Sequence, residues 1–178
     1  MKLTRKELRS LILEMLIKES VSSSSVESSI DRAIEILEIS DVNFRPFMLE
    51  ISRTESGFNP SGESGFTSHK DNPFQLTRPA IDQTKISRRL VSYRDRISKN
   101  ANMQNPWAEQ SISEIQSNTT MGAIASALYI LDFLRGASVP GDLQSRASLW
   151  KKKYNTESGD GEVSHYIEKN KDRSWNNS

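Results

Sequence analysis

The sequence predicts an all-α fold, and three observations predict it. Apolar residues recur at spacings of three and four in segment after segment. No stretch alternates apolar and polar residues over the length of a strand. Residues 121–134 are almost uniformly apolar, which fits a central helix buried on every side. The chain has 178 residues, enough for one ordinary domain and a short appendage.

The elements follow in order. Thr4 to Glu7 reads T-R-K-E, a capping box, and Leu8, Leu11, Ile12, Met15 and Leu16 then line one face of a helix within residues 1–19. Residues 20–29 are serine-rich and predict an irregular linker. The domain itself is expected over 30–170, with a polar tail at 171–178. The first helix either packs at the domain's edge or detaches to dock a protein partner.

Ser28 and Asp31 open a second helix carrying Ile30, Ala33, Ile34 and Leu37. A third runs from Phe44 to Ser56, with Pro46 in its first turn and Gly57 as its stop. Asn59-Pro60-Ser61-Gly62 is turn chemistry, and residues 61–73 read as a loop. Thr77 caps a helix with Pro79 in its first turn. Lys85, Arg88, Arg89, Arg94, Arg96 and Lys99 then form a basic stretch, read as a solvated helix face, with attraction to an anionic polymer as its functional option. The apolar helix at 121–134 ends at Gly136, and helical patterning resumes at 143–154 and about 162–169.

Composition excludes several classes. With 24 Lys+Arg against 23 Asp+Glu the formal charge is +1, which argues against a dedicated nucleic-acid binder. The absence of cysteine removes disulfides, thiolate metal sites and thiol nucleophiles. Two histidines are too few for a His-rich metal cage, so neither metal nor cofactor is expected. No segment approaches the roughly 20 apolar residues of a membrane span. Near the N-terminus, Glu14, Lys18 and Glu19 interrupt the apolar run behind Lys2, Arg5, Lys6 and Arg9, so no signal peptide is read there.

One carboxylate stands out. Phe44, Met48, Ile51 and Glu55 fall on a single stripe of the third helix, so Glu55 continues a buried face. It also sits in the last turn, where the helix dipole disfavours negative charge. Desolvation and the dipole both raise a carboxyl pKa, as an acid that protonates a glycosidic oxygen near neutral pH requires.

Glu55-Ser56-Gly57-Phe58-Asn59-Pro60 resembles the E-S-x-F-x-P segment of lytic transglycosylases of the goose-type lysozyme-like superfamily. Phe74-Gln75-Leu76 with Pro79-Ala80 resembles that family's G-L-M-Q-L-x-P-x-A segment, and Tyr154-Asn155-Thr156 with Gly159 resembles its Y-N-x-G segment. The apolar helix, opened by Asn118 and Gly122, falls where the family has its central helix, and the likeness covers roughly residues 40 to 168. The sequence departs from the pattern at Asn72, Pro73 and Phe74, and again in the extra residues ahead of Gly159.

The resemblance implies a lysozyme-like helical domain that acts on peptidoglycan glycan strands. Glu55 would serve as the sole acid and base, cleaving between N-acetylmuramic acid and N-acetylglucosamine and leaving a 1,6-anhydromuramyl end. Phe74, Gln75, Tyr154 and Asn155 would bind substrate or hold the groove. A hydrolytic muramidase would need a second carboxylate, for which Glu63 and Asp71 are the available choices; His69 reads as a surface loop residue and His165 as solvent-exposed or packing. A non-catalytic adaptor on the same fold is the third reading. The missing secretion signal fits an enzyme made in the cytoplasm and delivered to the cell wall by other means, such as a bacteriophage particle.

Overall fold

The computed structural model describes residues 23–57, 72–101, 103, 105–155 and 161–172. The expected helix at 1–19, the loop residues Glu63, His69 and Asp71, the motif residues Phe58, Asn59, Pro60, Thr156 and Gly159, and the tail from 173 lie outside the described residues. What is described is all-α, with no strand among those residues.

Helix α1 (Ser23–Leu37) corrects the reading of the linker, because it begins inside the serine run. Val26 and Ile30, one turn apart, are both fully buried. Their burial overrides the weak helix preference of serine. Helix α2 (Phe44–Ser56) has the expected bounds, and Gly57 ends it in the left-handed region at φ 65°. Phe44, Met48 and Ile51 are buried, as the stripe requires.

Helix α3 (Arg78–Ile86) starts on the Thr77 hydroxyl, which accepts the Ala80 N–H. A 3-10 turn at Arg88–Leu90 leads into α4 (Val91–Asn100). The short α5 (Ile112–Ser117) opens on a reciprocal capping box between Ser111 and Glu114. Helix α6 (Thr119–Leu134) is capped by the Asn118 side chain, which accepts the Met121 N–H at 3.0 Å. Helix α7 (Leu143–Leu149) runs on into a π-helical turn, Trp150–Asn155, and α8 (Val163–Asn170) follows.

α6 is the hub: α1, α3 and α5 pack on it, while α2 packs between α1 and α8. Ala123, Ala125 and Ala127 are fully buried, and small side chains let helices approach closely. The helix is not buried all round, however. Tyr129 and Phe133, one turn apart, are only partly covered, so one side of its C-terminal half is open.

The basic stretch is more than a solvated face. Arg94 donates to the Thr84 and Ser87 carbonyls at 3.1 and 2.9 Å, and Arg96 donates to the Leu37 carbonyl at 2.6 Å. The Thr84 and Leu37 carbonyls lie in the last turns of α3 and α1, where helix ends leave carbonyls without intrahelical partners. None of the helices described is long and apolar enough to cross a membrane.

Candidate active site

Helix α2 is anchored from below by a buried charge network. Glu50, 2% exposed, receives Arg146 in a two-pronged ion pair, with both N···O distances 2.7 Å. The Tyr166 hydroxyl adds a third donor to the same carboxylate at 2.8 Å. Through Nη1 Arg146 also donates to the Pro140 and Gly141 carbonyls. One turn along α8 from Tyr166, Asn170 bonds the Thr54 hydroxyl and accepts from Arg53. Helices α7 and α8 thereby fix the position of the last two turns of α2.

Glu55 sits in the final turn of that anchored helix, and it is partly buried. The Trp150 indole N–H donates to its carboxylate at 2.9 Å. Burial raises its pKa to about 7, and the Trp150 hydrogen bond opposes that rise. Desolvation is therefore the leading cause, as its place on the buried stripe requires. A carboxyl group in this condition is close to half protonated near neutral pH.

Trp150 is itself tightly placed. Its ring lies against that of Tyr166, centroids 5.1 Å apart. Gly161 lies so near that a Cβ there would come within 2.5 Å of the indole Cη2. Trp150 starts the π turn, a local geometry often found at functional sites. Tyr154, four residues on in the same turn, hydrogen-bonds the Phe74 carbonyl at 2.8 Å and Ser126 at 3.2 Å.

The segment 72–76 forms the opposite wall. The Gln75 side-chain amide donates to the Glu55 backbone carbonyl, and Gln75 itself adopts a left-handed φ of 48°. That strained backbone is held by two bonds from Asn72, whose carbonyl accepts the Gln75 N–H and whose side chain accepts the Phe74 N–H, each at 3.0 Å. Asn72 in turn packs on Gly122 of α6. A Cβ at Gly122 would lie 2.7 Å from the Asn72 side-chain oxygen, so glycine is what the close approach demands.

The structure thus brings Glu55, Gln75, Tyr154 and the backbone of Phe74 together. The Phe74 ring is fully buried, which places it in the core and not on a substrate surface. Its contribution to the site is the carbonyl that accepts Tyr154. Asn155 is half-buried at the end of the π turn, its side chain packed against Gly161. The Tyr154 hydroxyl is held neutral: burial pushes its pKa well above the usual phenol value, and the negative charge of Glu55 adds to the rise.

Sequence reasoning missed Trp150 and the Glu50–Arg146–Tyr166 anchor. For Trp150 a signal existed, since it precedes Tyr154 by four residues and so shares its helical face. Among the described residues, no group of three His, Asp or Glu side chains converges as metal ligands would. Comparison with protein-family models, curated proteins and solved structures returns no match to this chain.

Proposed function

We propose that the chain is a peptidoglycan lytic transglycosylase with a lysozyme-like helical domain, and that Glu55 is its single acid and base. One observation carries this reading: a carboxyl group with a pKa of about 7 at the end of an anchored helix, walled by Gln75 and Tyr154. The ordered likeness of the segments around Glu55, Gln75 and Tyr154 supports it from the sequence side.

In this mechanism neutral Glu55 gives its proton to the oxygen joining N-acetylmuramic acid to N-acetylglucosamine, and that bond breaks. The muramyl N-acetyl oxygen stabilises the electron-poor anomeric carbon. The Glu55 carboxylate, steadied by the Trp150 N–H, then removes the proton from the muramyl 6-hydroxyl. That oxygen bonds to the anomeric carbon and closes the 1,6-anhydro ring, returning Glu55 to its neutral form. The one group acts in both directions because its pKa lies near working pH.

Glu50 is the other carboxylate of α2, and its pairing with Arg146 and Tyr166 removes it as a water-activating base. A one-carboxylate route is the chemistry this leaves on the helix. The test is mass analysis of the products from purified cell walls. Anhydro ends, one water lighter than reducing ends, are expected, and a preponderance of reducing ends would make the protein a hydrolase instead.

A further inference from the structure

A groove of about 560 Å³ opens beside the candidate site, between the start of α3, the open side of α6 and the π turn. Two stretches of chain lead into it from Glu55. Gln75, on the Glu55 carbonyl, is followed by Thr77 and Pro79 on one wall. Tyr154 is preceded by Lys152 and Lys153 on the other, and its ring meets that of Tyr129 edge-on at 5.8 Å.

Four cations line this groove: Arg89, Arg135, Lys152 and Lys153. Arg89 lies 3.7 Å from Asp132, a carboxylate already bonded by Ser87 and Gln83. The side chains of Arg135, Lys152 and Lys153 are exposed and form no ion pair among the described residues. With a net charge of +1, the chain is not basic overall, so this gathering is local. Like charges around one concavity repel each other, and an anion seated among them relieves that repulsion.

We propose that this groove binds the carboxylates of the short peptides that peptidoglycan carries on its muramic acid residues. The assignment rests on the reading of Glu55 as the acid that cuts those strands. In strands that carry peptides the lactyl carboxyl of muramic acid is taken up in the amide bond to the peptide, so the sugar backbone is uncharged and the peptide carboxylates are what supply the cations with a partner. Tyr129 and Phe133, half-covered rings set edge-on at 5.7 Å, give the peptide's methyl groups an apolar surface between the cations. A phosphodiester polymer would have little use for them.

The test is an NMR titration of the full chain carrying Glu55→Gln, so that the ligand survives. N-acetylmuramyl-L-alanyl-D-isoglutamate should shift the resonances of Tyr129, Lys152 and Lys153. The dipeptide with its carboxyls amidated should bind about tenfold more weakly, as should the acid to the triple variant Arg135→Gln, Lys152→Gln, Lys153→Gln. Equal binding of acid and amide, an unaffected triple variant, no binding, or tighter binding of a glycerol-phosphate oligomer would each overturn the assignment. Cleavage by the unmutated chain, measured in parallel on strands with and without peptides, separates the two proposals. Cleavage without acid binding sinks the groove alone; acid binding without cleavage sinks the role of Glu55 alone.

Discussion

Glu50 and Glu55 belong to the same helix, five residues apart, and meet opposite surroundings. Glu50 lies deep between α2, α7 and α8, where Arg146 and Tyr166 supply three donors to its oxygens. Glu55 lies at the helix end, where the Trp150 indole donates and burial lifts its pKa to about 7. Neutralising one carboxylate with a fixed guanidinium makes it an anchor. Burying the other at the helix end, with an indole donor on its oxygen, raises its pKa to about 7 and makes it a group that can give and take a proton. The helix carries both, so the rigidity of the first positions the second.

Substitutions at the two positions should separate these roles. Glu55→Gln keeps the shape and removes the proton; cell-wall clearance should fall by roughly 10²–10⁴-fold while the fold survives. Glu50→Gln leaves Arg146 buried opposite a neutral amide. It should lower stability by roughly 3–5 kcal/mol in a urea titration, with activity lost only as the fold is lost.

Glu55→Gln should also stabilise the protein, by a gain that builds up as pH rises from about 4.5 to about 7 and then levels off. The folded state prefers neutral Glu55, so its contribution is fully present below the ordinary carboxyl value of 4.5 and is lost as pH rises through about 7. At pH 8 the variant should gain about 2–3 kcal/mol over the natural chain, and at pH 4 almost nothing. Equal gains at both pH values would mean that Glu55 is not held neutral. The smallest effect is expected from Trp150→Phe. Losing the indole donor should move the alkaline limb of the activity profile upward by about one pH unit.

Much of this arrangement was legible in the sequence, for reasons local to each segment. Phe44–Ser56 was bounded by Pro46 and Gly57, whose backbone rules hold wherever the helix packs. The raised pKa of Glu55 followed from its place on an apolar stripe. The start of α1 was not legible, because serine propensity lost to the burial of Val26 and Ile30, which depends on α6. The open side of α6 escaped notice for the same reason: Tyr129 and Phe133 are apolar by composition but are left uncovered by the packing of their neighbours. Glu50, Arg146 and Tyr166 are far apart in sequence and carry no mutual spacing, so only the tertiary fold joins them. Trp150 reaches Glu55 through a π turn that no residue pattern announced.

Direct titration of the Glu55 side-chain carboxyl by carbon-detected NMR is the sharpest test. A midpoint near 7 is expected, moving upward in Trp150→Phe. A midpoint at the ordinary carboxyl value of 4.5, unmoved by that substitution, would contradict the account.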